Sequence, residues 1–230
     1  SPITEDGSFS RLILIGLMCI RDEIRPEAAK AIRDINQAGI QVIMVTGDNK
    51  VTAASIAQEV GLLRGNSSEG VFTSSELAAM TDEKLRQLLP NIRVVARALP
   101  SDKSRLVRLA QEAGLVVGMT GDGINDAPAL KRADVGFAMG SGTEVAKEAG
   151  DIVIMNDNIA SIAKAVLYGR TIFKSIRKFI VFQLTMNVCA VGVSILGPFI
   201  GIDTPVTVVQ MLWINMIMDT LGGLAFAGEA

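Results

Sequence analysis

The segment GMTGDGINDAPAL, Gly118 to Leu130, gathers Asp122, Asn125 and Asp126 between glycines directly after an apolar run. Carboxylate and amide oxygens concentrated in such a turn suit a hard cation and the oxygens of a phosphate. Two other clusters carry complementary chemistry. Thr46-Gly47-Asp48 follows the apolar IQVIMV, and a hydroxyl beside an open glycine backbone can hydrogen-bond a phosphoryl oxygen. Lys103, in ALPSDKSRLV, supplies a compact positive charge. Positive charge, hydrogen-bond donors and cation-holding carboxylates are the parts that phosphoryl transfer requires. Each has a plainer explanation when taken alone. Thr-Gly-Asp is common turn chemistry, a lysine on a helix is commonly solvated, and Asp126 could cap a helix beginning near Ala127. Three such clusters in this order, each just past an apolar run, are hard to obtain from turn chemistry.

The elements that must position them alternate in type. Apolar runs at RLILIGLMCI (Arg11–Ile20), IQVIMV, NIRVVARA, LVVGMT, ADVGFAM and DIVIM have strand length and composition. Between them lie helical patterns: one begins at Pro26 and carries Ala28, Ala29, Ile32 and Ile35, and one follows Asp48 and closes near Gly61. Another runs through SDKSRLVRLAQEAG, with Ser101 as its expected N-cap, and GNSSEG is a surface turn. Strands alternating with helices predict a doubly wound α/β domain with a parallel sheet. Ligands of such sheets bind at the carboxyl ends of the strands, where all three clusters fall.

Composition separates the chain into two parts. Of 230 residues 49% are hydrophobic and 20% charged, and charges run steadily to Lys178. From Phe179 to Gly228 the charged side chains are Asp203 and Asp219. A net charge of −2 gives no reason to expect nucleic acid as a partner. The absence of histidine excludes imidazole acid/base catalysis and His-ligated metal sites. Cys19 and Cys189 fall in the two different parts, so no disulfide framework is expected and a reducing compartment suits the first. The polar start, SPITEDGSFS, lacks a signal-peptide pattern and an initiating Met, as expected for a piece of something longer.

MVTGDN, LPSDKSRLV and GMTGDGINDAPALKRADVGFAMG together resemble the phosphorylation domain of P-type ATPases, members of the haloacid-dehalogenase-like superfamily. The resemblance runs from about Leu12 to the C-terminus. It implies that Thr46 and Gly47 hold the phosphoryl group, Lys103 neutralises it, and Asp122 ligates Mg²⁺. Asn125 and Asp126 would complete the phosphate and metal shell, and Asp48 would order the network. One departure limits what the chain does by itself: the family's nucleophilic aspartate stands in a DKTGT segment, and no such string occurs here. The actuator loop, the nucleotide-binding domain through which ATP would act, and the first four membrane helices precede this region in the family. The resemblance therefore implies the C-terminal part of the phosphorylation domain, residues 1–158. A stalk helix continuing into a membrane helix over 159–202 would follow, with a second membrane helix over 205–228.

The apolar stretches Phe179–Ile202 and Pro205–Gly228 are each long enough to cross a bilayer, which takes about 20 residues. Arg170, Lys174, Arg177 and Lys178 precede the first, so the positive-inside rule predicts a cytoplasmic phosphorylation domain on an integral membrane protein. Asp219 lies deep in the second stretch, where a carboxylate costs about 2.5–3.5 kcal/mol on insertion scales and calls for a cation or a wet cavity. Asn215 precedes it by one turn, and Asn187 lies in the other stretch; an Asn alone could simply be interhelical glue. Oxygen ligands without sulfur or imidazole suit Ca²⁺ rather than Cu⁺ or Zn²⁺.

FQLTMNV and VQMLWINMIMDTLGGLAFAGE are similar to the fifth and sixth membrane helices of calcium pumps of the plasma-membrane type. This implies Asn187, Asn215 and Asp219 as ligands of a transported Ca²⁺. Ala190 stands where sarcoplasmic-reticulum-type pumps carry a glutamate, which implies one transported ion per cycle. The expected function is thus part of an ATP-driven Ca²⁺ transporter using Mg²⁺ and ATP within a lipid bilayer. A membrane-anchored phosphatase of the same superfamily and a non-catalytic membrane scaffold are the alternatives. The phosphatase should carry its own nucleophile and has no need of Asp219. Mg²⁺-dependent phosphate binding would argue against the scaffold.

Overall fold

A computed structural model of the protein describes residues 23–63, 69–202 and 205–228. The strand expected over Arg11–Ile20 and most of the turn expected at GNSSEG lie outside them. Helix α1 (Ala28–Gln37) buries Ala31, Ile32 and Ile35 on one face and leads to strand β1 (Met44–Val45). Helix α2 (Lys50–Glu59) follows, its N-terminus capped by the Asn49 side chain, and Gly61 turns the chain with φ +80°. Residues 71–88 hold strand β2 (Val71–Thr73) and helices α3 (Ser74–Ala78) and α4 (Asp82–Leu88). Strand β3 (Val94–Ala96) and helix α5 (Pro100–Glu112) complete the first half.

These strands form a parallel sheet ordered β1-β3-β2. Strand β3 is central and fully buried, and its side chains alternate between two cores. Val94 and Ala96 pack with Ile32, Ala53 and Ala57 from α1 and α2, whereas Val95 packs with Leu85 and Leu109 from α4 and α5. Helices therefore cover both faces, as the doubly wound pattern predicts. Shortening a fully buried side chain such as Leu109 to Ala would cost about 2–5 kcal/mol.

One helix boundary differs from the sequence-based expectation. Helix α5 starts at Pro100 with Leu99 as its N-cap residue, so Ser101 lies inside the first turn. Proline at the first helical position is pre-set for the helix and has no N–H to satisfy. The buried Asp102 carboxylate reaches back to accept the Leu99 N–H at 2.8 Å.

The second sheet, also parallel, comprises β4 (Gly118–Gly121), β5 (Val135–Met139) and β6 (Ile152–Ile154) in that order. Helices α6 (Ala127–Arg132) and α7 (Glu144–Ala149) connect its strands. Among the described residues, β1 and β2 are the edges of the first sheet and β4 and β6 those of the second, each pairing with a single strand.

Helix α8 (Ile159–Leu196) has 38 residues, about 57 Å at the α-helical rise. Its first turn is anchored: Asn158 caps it, and Ile162 packs against Phe137 and Ile154 of the second sheet. Further on, the Arg170 guanidinium donates to the Ala38 carbonyl just past the end of α1. Beyond Lys178 its surface is apolar and largely exposed. A tight 3₁₀ turn at Gly197–Ile200 ends it, where Gly197 lies so near Pro205 that a Cβ would stand 2.1 Å from the proline ring. Helix α9 (Val208–Ile217) begins in a capping box between Thr207 and Gln210. A π-helical turn (Met218–Gly222) and helix α10 (Gly223–Ala227) follow. The segments Ile159–Ile200 and Val208–Ala227 are long and apolar enough to cross a membrane.

Candidate functional site

The Thr46-Gly47-Asp48 loop is pinned to the end of β3. Thr46 N–H donates to Val95 O, Ala98 N–H to Thr46 O, and Arg97 N–H to Asp48 O, each at 2.9 Å. Arg97 takes a left-handed conformation (φ 50°) to make the last of these bonds, a strained geometry for a residue with a Cβ. Within the loop Thr46 Oγ1 donates to Asp48 Oδ2 at 2.8 Å and accepts the Asp48 N–H at 3.1 Å. Asp48 thus orients the Thr46 hydroxyl. A Cβ on Gly47 would meet nothing within 4 Å. Packing therefore does not require glycine there, and what it leaves is open access to the backbone.

The second cluster is joined to the third by a direct contact. Lys103 Nζ donates to Asp126 Oδ1 at 2.5 Å, and both side chains are largely buried. The other oxygen, Asp126 Oδ2, faces the backbone N–H groups of Asp122 and Gly123, each at 3.3 Å. Space for this carboxylate exists because residue 121 is glycine: a Cβ there would stand 2.4 Å from Asp126 Cβ. These bonds give Asp126 the task of bracing the loop and holding Lys103. They compete with its expected place as a Mg²⁺ ligand and leave Asp122 as the available carboxylate. The Asp122 backbone is fixed from the other side, since Thr143 N–H donates to its carbonyl at 2.8 Å. Its side chain and that of Asn125 are exposed.

An open cleft of about 800 Å³ begins just beyond Asp48, with Asn49, Lys50, Thr73, Arg97 and Leu99 among its lining residues. No sequence motif marks it, because its walls come from three separate segments. On its rim Lys50 pairs with Glu76 at 2.9 Å. That hydrogen bond, with one from the Thr73 N–H, holds the Glu76 carboxyl below its ordinary range.

In the membrane-type segment, Asp219 lies on the π-helical turn and accepts a hydrogen bond from Gln183 Nε2 of α8 at 2.7 Å. Sequence reasoning passed over Gln183, although it precedes Asn187 by one helical turn and shares its face. Asn187 and Asn215 are half-buried. The two helices pack through aromatic rings. Phe179 and Phe182 lie 6.3 and 5.8 Å from Phe226, and a Cβ on Gly222 would stand 3.1 Å from the Phe182 ring. Gln183 lies about 36 Å along α8 from its start, so the phosphate-type loops and Asp219 are distinct sites joined by one continuous helix.

Residues 5–134 match the haloacid dehalogenase-like hydrolase family, and a second model of the same description matches residues 116–166. The chain belongs to the haloacid dehalogenase-like hydrolases. Within that class its similarity is to cation pumps. It is 48% identical over 222 residues to the plasma membrane-type calcium-transporting ATPase 7 of Oryza sativa subsp. japonica, covering 95% of this chain and 21% of that protein. It is 46% identical over 239 residues to the plasma membrane calcium-transporting ATPase 1 of Mus musculus, covering 98% and 20%. Among solved structures, a zinc-transporting PIB-type ATPase in its E2.Pi state matches with a TM-score of 0.62 at 28% identity, covering 90% of this chain and 27% of that one. The chain spans about a fifth of the length of the curated relatives it matches.

Proposed function

We propose that this chain is the part of an ATP-driven Ca²⁺ pump that closes the phosphorylation site and connects it to the ion path. The observation that carries the proposal is the Lys103–Asp126 contact, which joins the second and third clusters, with the Thr46 loop pinned to the end of β3 and the unbroken α8 reaching a carboxylate in an apolar segment through Gln183. Thr46, oriented by Asp48, and the Gly47 backbone would bind the phosphoryl oxygens. Lys103, held by Asp126, would offset their charge, and Asn125 would add a hydrogen bond at the rim.

A hard cation fits the Asp122 loop. The carboxylate is exposed, its backbone is fixed on both sides, and Mg²⁺ at phosphate sites commonly takes one or two carboxylates and keeps waters. Among the described residues no cluster of three acidic side chains would demand a different ion. Mg²⁺ bound there would supply charge neutralisation at the phosphoryl group.

The nucleophilic aspartate is not in this sequence as a DKTGT motif. The free edges of β1 and β4 carry two of the three loops at their ends, and a strand pairing with both would bring a carboxylate between Thr46 and Asp122. Residues 1–158 would then be the C-terminal part of a cytoplasmic phosphorylation domain, 159–202 a stalk and membrane helix, and 205–228 a second membrane helix.

Asn187, Asn215 and Asp219 would bind the transported Ca²⁺, with α8 coupling their state to the phosphate loops through its anchors at Ile162 and Arg170. The test is Asp219→Asn in the full-length protein. Ca²⁺-stimulated phosphorylation from ATP should vanish while phosphorylation from inorganic phosphate persists. Unchanged Ca²⁺ activation would reduce Asp219 to a structural residue and refute the proposal.

A further inference from the structure

We infer that Gln183 is a working part of the cation site at Asp219, positioning that carboxylate through its amide nitrogen and presenting its own carbonyl oxygen to the ion. The inference rests on the Ca²⁺ reading above and assigns a residue to it. The orientation of the amide is given by its hydrogen bond. The Gln183 NH₂ group donates to Asp219 Oδ1 at 2.7 Å, and an amide has one donor end and one acceptor end. The remaining atom is therefore the carbonyl Oε1. It is buried and, among the described residues, has no hydrogen-bond partner.

A buried acceptor without a partner is uncommon and calls for a cause. Were Gln183 plain interhelical glue, both ends of its amide should be used, because neither end gains from being left bare in an apolar environment. Here the donor end is spent on Asp219 and the acceptor end is left for something that the described residues do not provide. A hard cation satisfies an amide oxygen and a carboxylate oxygen together.

The surroundings keep this arrangement from being one pose of a mobile side chain. Gly222 sits against the Phe182 ring, and Phe226 packs on Phe179 and Phe182, which fixes α8 against the second helix over the turn just before Gln183. The Met218–Gly222 turn is π-helical. Such turns concentrate at functional sites because they widen the helix and re-aim its side chains. Asn187, one turn along α8 from Gln183, and Asn215, four residues before Asp219, supply further amide oxygens near this crossing.

The test uses the full-length protein in membranes, with Gln183→Leu, Gln183→Glu and Asp219→Asn beside the wild type. The readouts are the Ca²⁺ concentration giving half-maximal phosphoenzyme from ATP, and phosphoenzyme formed from inorganic phosphate without Ca²⁺. Gln183→Leu should raise the half-maximal Ca²⁺ concentration about tenfold, the scale of losing one supporting group at a metal site, and should still be phosphorylated by inorganic phosphate. Gln183→Glu keeps an oxygen at the position, so at pH 8 it should need less Ca²⁺ than Gln183→Leu. Equal Ca²⁺ requirements in the two variants would overturn the oxygen-donor role. A wild-type requirement in Gln183→Leu, or loss of phosphorylation by inorganic phosphate in both variants, would overturn the inference altogether, the latter by making Gln183 a structural brace. Failure of the underlying Ca²⁺ reading looks different: the wild type shows no Ca²⁺ stimulation, or Asp219→Asn leaves it unchanged.

Discussion

The phosphate-type loops and the Asp219 crossing hold their polar groups by different means. At the sheet ends nearly every fixing bond involves backbone: Thr46, Asp48 and Asp122 are tied through their main chains to residues 95–98 and 143, and Asp126 occupies space that only a glycine leaves. In the apolar segment Asp219 is aimed by one side chain of a neighbouring helix and by a local change of helical pitch. The first arrangement moves only if the sheet moves. The second changes whenever two helices slide or rotate against each other, which suits the proposed role of a site that binds an ion and later releases it.

The sharpest break in this comparison is Asp122→Asn. It removes the carboxylate proposed to hold Mg²⁺ while leaving the loop's backbone bonds in place. In the full-length protein phosphoenzyme formation should fall by about 10²-fold or more, the scale on which removal of one stabiliser of transition-state charge acts. Wild-type phosphoenzyme, measured at saturating Mg²⁺, would refute the ligand role.

Gly121→Ala comes next and tests whether the loop is fixed by packing. The new methyl group would collide with Asp126 at 2.4 Å, forcing the carboxylate from the Lys103 and backbone contacts or shifting β4. Overpacking of this kind costs about 1–3 kcal/mol. A lowered thermal midpoint with weakened phosphate protection of Lys103 against acylation is expected. Unaltered stability and protection would show that Asp126 relocates freely.

How much of this was legible depended on whether the determining contact was local. TGDGINDAPAL stood out as a candidate phosphate and cation loop because oxygen-bearing side chains, glycines and a preceding apolar run are contiguous. The bracing role of Asp126 was not legible. It needs Lys103, 23 residues away, and a missing Cβ at 121. Pro100 displaced Ser101 as the start of α5 for a local reason that the sequence did contain. Residues 71–88, with β2, α3 and α4, escaped notice because a three-residue strand is too short to show a period. Their signals were the Thr73 capping box and the Thr81 cap. Gln183 escaped because an uncharged amide in an apolar helix gains meaning only from the partner across the helix pair. Arg97 carries no cue at all, since its left-handed backbone is imposed by the loop it serves.

A smaller effect, a factor of two, concerns the ion path. Ala190 offers a methyl group, which coordinates nothing, one turn along from Met186 and three residues past Asn187. A site there would have to dehydrate Ca²⁺ with few neutral oxygens, which is unfavourable in a low-dielectric segment. Occluded ⁴⁵Ca²⁺ counted against phosphoenzyme in the full-length protein should give a ratio near one. A ratio near two would mean that another residue replaces the carboxylate.

The smallest effect comes from setting a half-buried ion pair outside the membrane-type segment beside the Gln183–Asp219 bond. Asp82, at the start of α4, receives Arg108 at 2.6 Å and Arg105 at 2.7 Å, lengths like that of the membrane-type contact. The Arg108 hydrogen bond, followed by that of Arg105, holds the Asp82 carboxyl below its ordinary range. A folded-state value below the unfolded one, about 3.9, stabilises the fold above that pH and loses its contribution as pH falls through the folded-state value. Asp82→Asn should therefore lower the thermal midpoint at pH 7, the difference should shrink below about pH 4, and added salt should shrink it at any pH. The effect should be small, because ion pairs that water still reaches exchange one set of favourable contacts for another. If Asp82→Asn instead proved as damaging as Gln183→Leu, and equally so in high salt, the short length of a bond rather than its surroundings would set its worth. The contrast between the two regions would then fail.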